Sequence, residues 1–278
     1  MSTQSPISHR ANLYGLFFDV ITTVGDEAMS EARHKGISNP PPYLALGWME
    51  ANLYEINLKK YKKDIILFEA IVTGILQSLV PFESNHRVHT DIKADNILID
   101  FPGPGVFKVK LGDLGCATYD GFSDGLRGAC GSAAPEVLEG KGYFHCSDIW
   151  ALGITLLKPF KEDVFMYELP LGTYYPDAEV IARLMCLYPN WIPELVEGKT
   201  LMDIPLQEMF AKARDMKPLL QIAPLEQQLK DMDAPKELKD LLVLLLDLDR
   251  RKMSSATTIL KSSEYLAQCK AVRSMKRV

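Results

Sequence analysis

An α+β fold, mainly helical with one short β-hairpin, is what this 278-residue sequence predicts. Three observations carry that prediction. Apolar residues recur at helical spacing in several long segments. A single pair of strand-like runs, Asn96 to Asp100 and Val106 to Leu111, flanks a Pro-Gly-Pro-Gly turn at 102–105. Little strand-like pattern precedes residue 43, where only Tyr43 to Leu46 reads as a short strand.

In chain order, Ala11 to Thr23 alternates poorly and fits a helix or two short strands. Leu53 to Lys60 reads as a short helix. Asp64 to Val80 has a strong apolar stripe of Ile65, Phe68, Ile71, Val72, Ile75 and Leu79, with Asp64 placed as its N-cap. The hairpin follows. Ser147 to Leu157 is a helix, and Asp177 to Leu187 another, ended by Pro189. Gln207 to Met216, Pro235 to Leu248 and Ser254 to Gln268 supply the last helices, the serines at 254 and 255 offering caps.

Apolar residues make up 47% of the chain, enough for a substantial core in one large or two small domains. The formal net charge of −5 and the lack of a long basic run argue against nucleic-acid binding. No apolar run reads as a membrane span, and the N-terminus lacks a signal-peptide pattern. Five cysteines without a Cys-x-x-Cys pair read as thiols of a reducing compartment, so cytoplasm or nucleus is expected.

The chemistry concentrates in Val88 to Asp100 and Lys110 to Gly115. The first segment sets an acid (Asp91), a cation (Lys93) and a carboxamide (Asn96) within six positions. The second places Asp113 between glycines. Phosphoryl transfer needs a group to orient the attacking hydroxyl, a cation to offset charge on the moving phosphate, and oxygen ligands for magnesium. Taken singly, an acid-x-Lys pair reads as surface charge and Asp-Leu-Gly as a turn. The weight lies in their conjunction, since the hairpin returns Asp113 to the side of Asn96.

These two segments resemble the catalytic and metal-binding loops of eukaryotic protein kinases. Ala134-Pro-Glu136 resembles the end of that family's activation segment. Ser147 to Gly153 resembles the start of its central helix, and Leu248 to Ala256 its terminal segment. The resemblance covers about residues 43–267. His-Thr-Asp-Ile-Lys and Asp-Leu-Gly are similar to the forms in SR-protein-kinase-like and some fungal kinases.

The resemblance implies a protein-kinase-like fold with a helical large lobe at 51–278 and a small-lobe remnant and hinge at 1–50. It implies a serine/threonine kinase that uses ATP and Mg2+ on a protein substrate. Asp91 and Lys93 would be catalytic. Asn96 and Asp113 would hold magnesium and nucleotide, and the hinge residues Trp48, Met49 and Glu50 the adenine. Asp148 would accept backbone N–H groups of the catalytic loop, and His89 would be structural.

Departures from the pattern matter as well. Residues 1–42 hold neither a glycine-rich loop nor a strand lysine, so weak ATP binding and poor turnover are expected. A non-catalytic, pseudokinase-type docking module is therefore the alternative function. Aminoglycoside- and choline-type phosphotransferases share the Asp, Asn and Asp spacing but not the Ala-Pro-Glu or Ser-Asp-Ile-Trp segments. Thr90 occupies the place of an arginine that pairs with an activation-segment phosphate. Ala129 replaces the threonine of the substrate shelf. Met253 replaces the arginine partner of Glu136, which leaves Glu136 to pair with Arg250 or Arg251 or to lie exposed. The sequence leaves the protein substrate and oligomeric state open.

Overall fold

The computed structural model describes residues 48–123, 125–128, 130–161, 164, 176–201, 203–249 and 255–275. The chain divides into two compact units, Met1–Glu50 and Ala51–Val278. Of the first, Trp48, Met49 and Glu50 are described. The readings at 11–23 and 43–46, and those on Ala129, Arg250, Arg251 and Met253, lie outside the described residues. The second unit combines helices and short sheets in the α+β architecture expected.

Strand β1 (Ala51–Asn52) opens this unit. The helix expected over 53–60 is replaced by a turn and a 3-10 turn at Leu58–Tyr61. The cause is local. Asn52 and Glu55 exchange side-chain-to-backbone hydrogen bonds, each 3.0 Å, which competes with helix formation. Helix α1 (Ile65–Ser84) then starts where Asp64 Oδ1 accepts the N–H groups of Ile66 and Leu67, as a cap should. It outruns its expected end at Val80, passes Pro81 and buries Phe82. Nine of its residues are buried, each apolar side chain contributing about 1.5–3 kcal/mol of transfer free energy.

At 20 residues, α1 is long and apolar enough to cross a membrane by length and composition, contrary to the sequence reading. Half of its most apolar window is buried inside the protein. The stripe thus serves as core.

Strands β2 (Arg87–Val88), β3 (Ile97–Gly103) and β4 (Val106–Leu111) come next. β3 pairs antiparallel with β1 and β4, in the order β1-β3-β4. Ile97 faces Leu111 and Ile99 faces Val109; the register shifts between Asp100 and Gly103. Alternation sends Ile97, Ile99 and Leu111 inward. α1 lies close on β4: a Cβ at Gly74 would stand 2.7 Å from Val109 Cβ, so only glycine permits this approach. β5 (Thr118–Tyr119) pairs with β2.

α2 (Pro135–Leu138) precedes α3 (His145–Leu157), in which every residue but His145 is buried. A helix apolar on all sides belongs at the centre of a lobe. Beyond it lie α4 (Pro176–Leu187), the hairpin β6 (Thr200–Leu201) and β7 (Ile204–Pro205), α5 (Leu206–Met216), α6 (Leu225–Lys230) and α7 (Lys236–Leu245). The single helix expected over 254–268 is two, α8 (Ala256–Ile259) and α9 (Ser263–Met275). Ser255 caps the first by accepting from Thr258 N–H, and Ser262 Oγ accepts from Tyr265 N–H at 3.1 Å near the start of the second.

Candidate functional site

The loop from His89 to Asn96 joins β2 to β3, and its shape is fixed from below by α3. Asp148, 2% exposed, accepts His89 N–H on Oδ2 at 2.7 Å and Thr90 N–H on Oδ1 at 2.9 Å. Burial pushes its carboxyl up to about 7, against the pull of those two N–H groups. Thr90 sits at φ +69°, an uncommon conformation that these bonds hold in place. Its hydroxyl donates to the Cys116 carbonyl at 2.9 Å. Where the family's arginine would await a phosphate, a neutral hydrogen bond ties the catalytic loop to the segment after Asp113.

His89 is fully buried beneath the loop. Its Nε2 lies 2.9 Å from the Gly112 carbonyl and its Nδ1 receives Asp91 N–H at 3.3 Å. That pairing requires a neutral ring with the proton on Nε2. Burial pushes the imidazole down to about 4. The unfolded ring takes up its proton near 6.5 and the folded ring only near 4. Stability contributed by neutral His89 is therefore present above 6.5 and lost as pH falls toward 4. The shift corresponds to about 3 kcal/mol. In urea titrations from about pH 7 to pH 4, the stability of the native chain should fall by that amount relative to His89→Asn. Parallel curves would show that His89 does not titrate in this way.

Asp91 is 4% exposed. Its Oδ2 accepts Lys93 Nζ at 2.8 Å and Asn96 Nδ2 at 3.0 Å. The hydrogen bond to Asp91 raises the Lys93 ammonium above its usual range, so the cation is firmly charged. Asn96 Nδ2 also donates to the Asp91 carbonyl at 2.8 Å. With Nδ2 engaged in this way, the side-chain oxygen Oδ1 is the group Asn96 has left for a ligand.

Gly112 N–H donates to the Asn96 backbone carbonyl at 2.7 Å, which extends the hairpin ladder by one rung. Asp113 follows at φ +56°, its Oδ1 accepting Gly115 N–H at 3.1 Å. Its charge acts on both Lys93 and His89. The structure therefore gathers Asp91, Lys93, Asn96 and Asp113 around the open end of the hairpin. Among the described residues, no three His, Cys, Asp or Glu side chains form a metal cage. The Asp113 carboxylate and Asn96 carbonyl are instead a sparse, hard-oxygen pair, suited to magnesium that keeps phosphate and water as its other ligands. The remaining predicted residues, Trp48, Met49 and Glu50, close the first unit; Trp48 and Glu50 are exposed and Met49 half-buried.

Glu136 is buried rather than exposed, while the arginines named as its other expected partners lie outside the described residues. It is 4% exposed, and the partners it has among the described residues are the Ser147 hydroxyl and, at 3.4 Å, Cys146 Sγ. Burial raises its carboxyl above the usual range. The Ser147 hydroxyl and the Cys146 thiol give this buried carboxyl hydrogen-bond partners.

Sequence reasoning missed Gly128 and Tyr143. A Cβ on Gly128 would meet Thr90 O at 2.4 Å and Asp91 Oδ1 at 2.9 Å. Tyr143 Oη bonds both the N–H and the carbonyl of Arg127. Glycines are frequent in this segment and nothing in the sequence marks this one; Tyr143 carries no motif.

A sequence profile of the protein kinase domain matches residues 43–265. The chain is 37% identical over 92 residues to serine/threonine-protein kinase dst3 of Dictyostelium discoideum, covering 32% of this chain and 16% of that protein. It is 37% identical over 112 residues to serine/threonine-protein kinase TAO3 of Xenopus laevis, covering 39% of this chain and 12% of the relative. These matches span less than a fifth of either relative. The fold is similar to a chain in the crystal structure of the yeast RNA Pol II CTD kinase CTDK-1 complex, with a TM-score of 0.55 and 20% identity, covering 79% of this chain and 69% of that one. The profile match over most of the chain, and the serine/threonine kinases among its relatives, place it by resemblance with enzymes that use ATP and magnesium: the chain belongs to the protein kinase family.

Proposed function

We propose that residues 51–278 are a kinase large lobe that directs the γ-phosphoryl group of ATP to a serine or threonine hydroxyl of a protein. The observation that carries this reading is the convergence of Asp91, Lys93 and Asn96 in one hydrogen-bonded cluster with Asp113 across the hairpin. Asp91 would orient the acceptor hydroxyl and take its proton. Lys93 would offset charge on the transferred group. Asn96 and Asp113 would hold magnesium, which when bound draws charge from the phosphate oxygens.

One observation favours the docking-module reading instead: Asp91 Oδ1 is buried and has no hydrogen-bond partner among the described residues. Calorimetric titration with ATP, with and without magnesium, separates the two when paired with phosphate transfer to a basic protein. The catalytic reading expects weak, magnesium-dependent binding that drops about tenfold or more in Asp113→Ala, with transfer lost. Absence of magnesium-dependent binding in the native chain would leave the docking module.

A further inference from the structure

Gln268 is fully buried, yet neither its Oε1 nor its Nε2 has a hydrogen-bond partner among the described residues. A carboxamide closed off in that state weakens the contact that buries it. That contact is the seam of helix α9 with α1 and α7.

The rest of the seam is thin in apolar contact as well. Of the 13 residues of α9, four are buried: Tyr265, Gln268, Cys269 and Val272. Val272 alone among them is aliphatic, whereas all nine buried residues of α1 are apolar. Thr73 Oγ of α1 donates to Glu69 Oε1 at 3.0 Å, so Tyr265 Oη, 2.9 Å away, is the donor to Thr73. Cys269 Sγ donates to the same Glu69 oxygen at 3.5 Å. Burial pushes the Tyr265 phenol up to about 12 and the Cys269 thiol upward, so both keep the protons these bonds use.

The bend before α9 is equally slight. The sequence runs from Ser254 to Gln268 without Gly or Pro and reads as one helix. The break at 260–262 is marked by Ser262, whose Oγ accepts Tyr265 N–H at 3.1 Å and whose N–H donates to the Ile259 carbonyl at 2.9 Å. Packing sets two helices where local preference is for one. Swinging α9 outward therefore goes with the local preference of the chain.

The seam also lies next to a place that matters for the site. Thr73, which receives Tyr265, precedes Gly74, whose missing Cβ lets α1 lie on Val109 of β4. β4 ends at Leu111 and leads through Gly112 to Asp113.

We infer that α9 is a strap that opens by itself, ahead of the rest of the lobe, and that its opening loosens the seat of the β3–β4 hairpin on α1 and with it the placement of Asp113. The bearing of that motion on catalysis rests on the reading of Asp113 as a metal ligand; the opening itself does not.

Hydrogen exchange under native conditions, resolved by peptide mass spectrometry into α9, α3 and β4, tests this without requiring activity. In the native chain α9 should exchange at least about tenfold faster than α3. Gln268→Met keeps the length of the side chain and removes the stranded amide. It should slow α9 and β4 by about tenfold or more and change α3 less. Thr73→Val removes the hydroxyl between Tyr265 and Glu69 at nearly constant shape, and should speed α9 and β4 by about tenfold. Thermal melting reports whether each variant is folded, and Gln268→Met carries the test alone where Thr73→Val is not. Equal protection of α9 and α3 in the native chain, α9 exchange unmoved by Gln268→Met, or a lower melting temperature in that variant would overturn the strap. Exchange of β4 that ignores α9 in the folded variants would overturn its link to the hairpin. Titration of the same proteins with ATP and magnesium separates the two readings. Absence of magnesium-dependent binding in all of them, with exchange as expected, would uphold the strap and overturn the reading of Asp113.

Discussion

Asp91→Asn is expected to lower phosphate transfer by about a hundredfold to ten-thousandfold, with magnesium-dependent ATP binding nearly unchanged. The substitution is isosteric, so packing under the loop survives. What changes is charge and basicity. The carboxylate now balances the Lys93 ammonium at 2.8 Å and accepts Asn96 Nδ2 at 3.0 Å. A carboxamide can set its oxygen where Oδ2 accepts both Lys93 and Asn96, with its NH2 group at the Oδ1 position, but it cannot take the hydroxyl proton. Lys93 would keep an acceptor there but lose the carboxylate charge that helps to raise its ammonium. Asn96 and Asp113, proposed above to hold the nucleotide and its metal, belong to the hairpin end and keep the bond from Gly112 N–H to the Asn96 backbone carbonyl. Steady-state kinetics should therefore show kcat reduced at an unchanged ATP KM. A kcat close to the native value would remove Asp91 from the chemistry.

The parts of this site that the sequence made legible are those whose function and local structure share a short segment. Asp91, Lys93 and Asn96 fall within six positions, and the hairpin that returns Asp113 is written in alternating residues around Pro-Gly-Pro-Gly. The Asp64 cap and the α1 stripe were equally plain, being local too. Element ends were less so. Pro81 marks the end of α1 in the sequence, but burial of Phe82 carries the helix through it, a tertiary contact outweighing a local signal. The helix read at 53–60 failed because the Asn52 and Glu55 side chains compete for the backbone.

The contacts of Glu136 and the hold of Tyr143 on Arg127 were not legible at all, and for one reason. Each depends on residues far apart in the chain that meet only after folding. Ser147 and Cys146 reach Glu136 from the first turn of α3. Tyr143 reaches Arg127 across 16 positions, and Lys199 reaches Ser123 across 76. A side chain named for one motif gives no hint of a partner that has none.

Asp148→Ala should cost about 2–5 kcal/mol of folding stability and release the catalytic loop. Two backbone donors, His89 N–H and Thr90 N–H, end on this one carboxylate. Alanine leaves both without an acceptor in the interior, and each stranded donor costs about 1–3 kcal/mol. An opposing effect keeps the total below the sum of the worst cases. Burial already pushes the Asp148 carboxyl up to about 7, so the native chain bears a desolvation cost that alanine removes. That relief does not restore the geometry. Thr90 adopts φ +69° only while its N–H is held, and its hydroxyl bond to the Cys116 carbonyl depends on the same conformation. With the anchor gone, Thr90 should relax toward ordinary backbone angles and carry Asp91 away from Asn96. Asp148→Asn separates the two contributions. Its carbonyl oxygen can serve one donor while its NH2 group opposes the other, so its stability should lie between those of the native chain and Asp148→Ala. The checks are urea unfolding and hydrogen exchange at His89 and Thr90. Protection of both amides in Asp148→Ala as in the native chain would mean that the loop is held by something other than this carboxylate.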